Sequence, residues 1–271
     1  MTTLNALLVR VADAVLAPLA GVSPLAVVTG AALASALVVL AAMRATSDQA
    51  ALAAVKRRIH AALLEMRLYN DDLRGLLRAQ GEVIRHNLRY VGLSLVPLVV
   101  TAIPLTLTIA QLQAWYGYDG LTPGQPTTIT ATVGEGVTAL PRLESPAVEV
   151  VGPPRYFPTR HEVVWRVVPR QPGASSLRVV STDGVLVEKT LQVGAGTARR
   201  SPSRDRAGFV QQLLYPSEAP IDDGLAVRSV TVPYAERALD VAGLHVHWLV
   251  AYLVLAVAWV LVLRGPMGVV I

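Results

Sequence analysis

RATSDQAALAAVKRRIHAALLEMRLYNDDLRGLLRAQGEVIRHNLRY, residues 44–90, separates two long apolar runs and decides how the chain is laid out. Its apolar residues keep a heptad. Leu52, Ile59, Met66 and Leu73 take one seam position, and Val55, Ala62, Tyr69 and Leu76 take the other. The same phase continues, more polar, through Gln80, Val83, Asn87 and Tyr90. The spacing predicts helix. The flanking runs, 24–43 and 91–115, are each long enough to cross a bilayer at about 1.5 Å per helical residue. A chain that crosses twice must turn back on one side, so 44–90 is expected to be a helical hairpin. Tyr69, Asn70, Asp71 and Asp72 suit the bend, since Asn ends a helix and Asp caps the next one. A straight helix returning by a short link near Gly81 is the alternative.

Composition points the same way. Hydrophobic residues make up 53% of the chain, and the mean hydropathy of +0.48 is high for a water-soluble domain. A third apolar run covers 246–263, which leaves 116–243 for one extramembrane domain. With no Cys, disulfides, thiolate metal sites and a Cys nucleophile are excluded.

Charge sets the expected orientation. Residues 44–90 hold nine basic against five acidic side chains, a surplus of four, whereas 116–245 hold thirteen of each. Short basic loops stay in the cytoplasm. The hairpin is therefore expected inside and the large neutral domain outside, with Arg264 ending the third span inside and the N-terminus outside. The basic side chains Lys56, Arg57, Arg58, Arg67, Arg74, Arg78 and Arg85 alternate with acids beside the spans. That pattern fits a solvated, lipid-facing surface better than a nucleic-acid site.

Within residues 1–23, Asn5, Arg10 and Asp13 share one side of a helical wheel, and Pro18 and Gly21 end the pattern. This predicts an amphipathic helix in the outer interface; a poorly ordered terminus is the alternative. In the first span, Gly30/Ala34 and Ala31/Ser35 are small pairs four apart. Such pairs permit close helix approach, and also arise by chance in Ala-rich sequence.

The second span carries a polar stripe. Ser94, Thr101 and Thr108 are seven apart, with Pro97, Pro104 and Gln111 each three residues further on along the same face. Prolines free backbone carbonyls, which need partners or water. Two arrangements satisfy this: a hydrated groove open to the cytoplasm, or a packed stripe whose hydroxyls answer the carbonyls. Trp115, Tyr116 and Tyr118 follow as an interfacial belt.

Beyond Tyr118 the pattern turns to short β runs at 127–133, 147–151, 163–168, 177–180 and 185–193. Asp183-Gly184 is a hairpin signal, and Trp165 shares a face with Val163 and Val167 as a core anchor. An antiparallel sandwich of immunoglobulin-like type is expected. Residues 194–206 read as a polar linker, and 209–215 and 227–232 as further strands.

Chemistry is sparse. His245 and His247 share a face only if extended, and an interfacial place beside Trp248 and Tyr252 suits them better. His161 beside Glu162 is a lone surface pair. Gly194-Ala195-Gly196 lacks the helix and Lys of a phosphate loop. Capping accounts for Asp71 and Asp72. With no nucleophile–base set, metal cluster or cofactor motif, no enzyme activity and no cofactor are expected.

The order of an outer interfacial helix, a span, a basic hairpin and a proline-broken span resembles the core of YidC-type membrane-protein insertases and their Oxa-family relatives. The resemblance is carried by Lys56-Arg57-Arg58-Ile59-His60-Ala61 through Asp71-Asp72 to Pro97 and Pro104. It covers about the first 115 residues and the last span. With its β segment before a closing span, the whole layout is also similar to a group of bacterial membrane proteins. The first span carries no Arg of its own, and the β segment stands where relatives have a transmembrane hairpin.

The expected layout is an interfacial helix at 1–23, spans at 24–43, 91–115 and 244–264, a cytoplasmic hairpin at 44–90, a β domain at 116–243 and a tail at 265–271. The resemblance implies a bacterial inner-membrane biogenesis factor. Its groove, lined by Thr29, Ser35, Ser94, Thr101, Thr108 and Gln111, would shelter polar parts of a client helix. The hairpin would dock anionic lipid, a nascent chain or a cytoplasmic partner. The second hypothesis is an envelope scaffold or signal relay whose β domain binds an extracytoplasmic partner. A water-accessible stripe favours the first; a dry stripe with an exposed apolar patch on the β domain favours the second.

Overall fold

The computed structural model describes residues 3–46, 48–68, 73–134, 140–181, 184–206, 208, 212, 216, 218–241 and 243–269. The expected bend at 69–72 and most of the strand expected at 209–215 lie outside these residues. The chain divides into two compact units, Met1–Val28 with Leu107–Ala251, and Thr29–Thr106 with Tyr252–Ile271.

Helices α1 (Thr3–Leu16), α2 (Pro24–Thr46), α3 (Gln49–Leu68) and α4 (Leu73–Tyr116) come first, and α5 (Trp248–Leu263) comes last. Their starts follow local chemistry. The Ser23 hydroxyl accepts from Ala26 N–H at 3.3 Å ahead of Pro24, and Asp48 Oδ1 accepts from Ala51 N–H at 2.9 Å. Helices α2 and α4 are long and apolar enough to cross a membrane.

Helix α4 runs unbroken for 44 residues, about 66 Å at 1.5 Å per residue. It contains Gly81, so no link interrupts it there. The hairpin's second arm and the second expected span are one helix. The seam is only partly as the heptad places it. Leu52, Val55 and Ala62 are buried, yet Gln80 and Asn87 are exposed, and Ala79 and His86 take the covered places. A straight helix turns every 3.6 residues, so a 3.5-residue phase drifts by about 20° per heptad.

Exposure on these helices is inverted relative to a water-soluble protein. In α1, Leu7, Val11 and Val15 are exposed while Asn5 is buried. In α4, Leu95, Val96, Leu98 and Ile103 are exposed while Thr101 is buried. In α5, Val250, Val254, Val257 and Val262 face out.

The run expected to span from 244 starts differently. Leu244–His247 form strand β11, paired with β10 (Ala238–Val241). Gly243, at φ 84°, stands in the turn. The alternation of Leu244, His245, Val246 and His247 suits a half-covered ribbon, so the helix opens only at Trp248 and holds 16 residues.

The β unit is built from β1 (Thr127–Val133), β2 (Arg142–Glu144), β3 (Val148–Val150), β4 (Arg155–Phe157), β5 (Glu162–Pro169), β6 (Gly173–Ser181), β7 (Gly184–Val193), β8 (Ser203–Asp205) and β9 (Val227–Thr231). All pairings between them are antiparallel. One sheet runs β3-β5-β1-β9-β8 with β4 also on β5, and the other runs β2-β6-β7. Both feed one core. Ile129, Trp165, Val167 and Val230 come from the first sheet, and Leu177, Val179 and Leu191 from the second. Trp165 is 1% exposed. The expected β6–β7 hairpin is present, with Ser181 opposite Gly184; Asp183 lies outside the described residues.

Candidate functional site

The polar stripe is turned to the covered side of α4. Thr101 is 6% exposed, and Ser94 and Thr108 are half-buried, whereas Thr106 is exposed. Ser94 Oγ donates to Tyr90 O at 2.9 Å. Thr101 Oγ1 donates to Pro97 O at 2.8 Å and is 3.1 Å from Leu98 O. Pro97 and Pro104 free the carbonyls four residues earlier, Leu93 and Val100, so these two hydroxyls answer other carbonyls. Ser35 is buried and accepts from the Tyr252 hydroxyl at 2.8 Å. Thr29 is half-buried, while Gly30 and Ala34 of the small pair are exposed. Thr101 is thus closed from solvent.

Gln111, the last stripe residue, belongs to a different arrangement. Its Oε1 accepts from Arg199 Nη2 at 3.0 Å. Arg199 also donates through Nη1 to Pro216 O at 2.8 Å and through Nε to Asp13 Oδ1 at 2.9 Å. Trp115 Nε1 donates to the same Asp13 oxygen at 3.1 Å, and the guanidinium lies 5.9 Å from the Trp115 ring centre. Asp13 therefore faces a protein cation rather than the headgroup region. The fork of five N–H donors on Arg suits it to collect three such acceptors.

The end of α4 is tied down beside this node. Arg200 N–H donates to Ala114 O at 2.7 Å, and Arg237 N–H donates to Gly117 O at 3.0 Å. These bonds fill carbonyls that a helix end leaves open. Gly117 is required there, because a Cβ would come within 2.5 Å of Gln113 O. Arg237 Nε pairs with Asp119 Oδ1 at 2.7 Å, and the guanidiniums of Arg200 and Arg237 both donate to Gly196 O.

In the β unit the outer edge of β7 is sealed. Arg204 Nη1 donates to Glu188 O. Glu218 Oε1 accepts from Thr190 N–H at 2.7 Å, and the Tyr234 hydroxyl accepts from Gln192 N–H at 2.9 Å. Leu121 N–H donates to Gln192 O at 3.0 Å. Lys189 points inward and is fully covered, its Nζ 2.6 Å from Glu218 Oε2. Burial lowers the Lys189 pKa, and Glu218 pulls it back up. Glu188, Lys189, Thr190, Arg204 and Glu218 line a cleft of about 590 Å³ with Ser175 and Ser176. Lys189 and Arg204 in it are engaged with Glu218 and with the Glu188 and Ala219 carbonyls, so the cleft clamps the 218–219 segment.

The edge of the other sheet at β3 and β4 is exposed. Strands β3 and β4 lie end to end along β5, separated by Val151, Gly152, Pro153 and Pro154. Val150, Val151, Tyr156 and Phe157 are 36, 44, 39 and 45% exposed, with Arg155, Arg160 and Arg166 exposed beside them.

On α3 and α4, Arg57, Arg58, Arg74, Arg78 and Arg85 are exposed and Lys56 is half-buried; the Arg67 side chain lies outside the described residues. Arg78 and Glu82 pair along the helix at 3.8 Å. His60, Leu63, Leu64, Met66 and Leu76 line an apolar cleft of about 760 Å³. His247 Nδ1 accepts from Leu249 N–H at 3.2 Å, and its Nε2 lies 3.6 Å from Glu236; it caps α5. Among the described residues no group of three acidic or His side chains is placed to share a metal.

Sequence reading missed the Asp13–Arg199 node and the Lys189–Glu218 clamp. Arg199 sits in a stretch whose polarity reads as a linker, and Lys189 shows only as a lone cation among alternating apolar residues. Comparison with known proteins finds no family model, no curated protein and no solved structure that matches the chain.

Proposed function

We propose that the chain is an inner-membrane scaffold or signal-relay protein of bacteria, and that its β domain docks an extracytoplasmic protein through the β3–β4 edge. The inverted exposure of α4 and α5 and the length and apolarity of α2 and α4 support three spans in lipid, and the charge surplus of 44–90 supports a cytoplasmic hairpin. On this reading the β domain is an outward sandwich of immunoglobulin-like type. The observation that carries the proposal is the exposed edge with Tyr156 and Phe157, rimmed by Arg155 and Arg160. Aromatic and Arg side chains around an apolar centre are the composition of binding hot spots. The closed stripe supports the same choice. Thr101 is shut away, Ser35 is paired with Tyr252, and Gln111 is held by Arg199.

The second reading is a biogenesis factor related to YidC-type insertases. It draws on the covered polar side of a proline-broken span, which a client could enter if the helices part. A photocrosslinking side chain at Tyr156, and separately at Thr101, distinguishes the two in cells. The scaffold reading expects a discrete protein adduct from 156 and silence from 101. Adducts from 101 with newly made membrane proteins, and none from 156, would replace it with the biogenesis reading. Topology has its own check in this Cys-free chain. A Cys at exposed Ala174 should react with an impermeant thiol reagent added outside, and one at exposed Gln80 should not. The reverse labelling would overturn the orientation.

A further inference from the structure

The exposed face of α4 carries a second apolar seam, separate from the covered positions Ala79, Val83 and His86. Leu77, Gly81, Ile84, Leu88, Val91 and Leu95 follow one another by four, three, four, three and four residues. This is the spacing of the two seam positions of a coiled coil. The five large side chains are 58, 58, 68, 59 and 53% exposed. Nothing lies within 4 Å of a Cβ built on Gly81, so a neighbouring backbone has room to approach there.

Lipid accounts for only part of this face. From Val91 onward an apolar exterior is what hydrocarbon requires. Leu77, Ile84 and Leu88 instead lie in the polar stretch, among the exposed Arg74, Arg78, Arg85 and Arg89. A face continuous across that change needs an occupant that itself runs from bilayer to water with the same period. The chain supplies one. We propose that two copies pair in parallel along this seam of α4, an inference that rests on α4 spanning the membrane.

Charge agrees with the pairing. Both copies enter the bilayer in one orientation, so the helices must run parallel. In a parallel pair the position following each core residue on one helix meets the position preceding a core residue on the other. Those flanks are Arg78 and Arg85 on one side and Gln80 and Asn87 on the other. Arg85 of one copy therefore meets Gln80 of the other, and the flanking Arg78 and Arg85 do not face one another. An antiparallel pair would set the Arg flanks against each other. Five such side chains at roughly 100 Å² each give on the order of 500 Å² per copy, and the flanks bring this toward the ~800 Å² per partner of a stable interface.

The test uses the full chain in membranes. Ile84→Cys lies on the seam, and Glu82→Cys is turned about 160° from Ile84 around the helix. Each is oxidised after dilution with excess lipid, and alkaline carbonate extraction of the same samples reports separately on membrane insertion. Ile84→Cys should form a disulfide-linked dimer about tenfold faster than Glu82→Cys, and adding Leu88→Arg should lower that rate about tenfold with the helical circular dichroism unchanged. Equal rates at 82 and 84 in pelleted protein, or crosslinking at 84 indifferent to Leu88→Arg, would overturn the pairing alone. Protein released into the supernatant would overturn the spanning reading and the pairing with it.

Discussion

Glu218→Gln removes the counter-charge of Lys189 while hardly changing shape. The ammonium lies 2.6 Å from Glu218 Oε2 on a side chain with no exposure, and burial already lowers its pKa. Without the carboxylate, a covered cation is left with a neutral amide. Breaking a buried pair from one side costs about 3–5 kcal/mol. The converse change, Lys189→Met, leaves Glu218 with 13% of its side chain exposed and still accepting from Thr190 N–H, so its cost should be only about 1–2 kcal/mol. The double variant should be more stable than Glu218→Gln, because no uncompensated cation remains.

The sign of the pH dependence follows from the lowered lysine pKa. The folded state binds fewer protons at Lys189 than the unfolded chain, whose lysine titrates near 10.5. Stability therefore rises as pH climbs through the folded pKa toward 10.5. Loss of Glu218 lowers the folded pKa further and widens that window. The deficit of Glu218→Gln should thus be largest near neutral pH and shrink on going alkaline. Thermal unfolding of the full chain in detergent, followed by Trp fluorescence, reads this directly. At about 2–4 °C per kcal/mol, the midpoint should fall by about 6–20 °C. A loss below about 1 kcal/mol, or a double variant weaker than Glu218→Gln, would refute the argument that charge burial dominates here.

Tyr234 should control an alkaline transition. Burial pushes its phenol up to about 12 against a usual 10.0, so its contribution is complete below the unfolded value and is lost as pH rises through about 12, roughly 3 kcal/mol in all. Tyr234→Phe should cost about 1–2 kcal/mol at neutral pH, since Gln192 N–H loses its acceptor, and should flatten the alkaline limb of an unfolding-versus-pH series; an unchanged limb would exclude Tyr234 as its source. Thr101→Leu should overfill a closed site and cost about 1–3 kcal/mol, whereas the same change at exposed Thr106 should be neutral in thermal unfolding. A tolerated Thr101→Leu would mean that the stripe has room beside it.

The strands that sequence reveals are those whose side chains carry the pairing. Thr127 to Val133 alternates and pairs as β1, and Trp165 stands in the core opposite Ile129. Strands β2 and β8, Arg-Leu-Glu and Ser-Arg-Asp, have almost no apolar content. They are strands because β6 and β9 offer them backbone partners, which no local pattern encodes. Leu244 to His247 was lost to the helix beside it, because a short apolar run fits either period; Gly243 was the available signal. Arg199 was hidden for another reason. Its partner Asp13 lies 186 residues away, so in sequence the ion pair looks like two unrelated surface charges. The stripe on α4 was legible as a face, and its inward direction followed from its polarity. Whether that face is wet or dry depends on the helices covering it, which its own residues do not specify.

The sealing of β7 by side chains has a consequence for how the protein fails. A backbone edge covered by another strand is lost only on unfolding, but apart from the main chain at Leu121 this edge is covered by Arg204, Glu218 and Tyr234. Single substitutions at these positions uncover main-chain donors and acceptors while the sheet remains folded. A bare, straight edge recruits a strand from another molecule. Damage here should therefore surface as ordered self-assembly of folded β domains, at temperatures where the core is still intact.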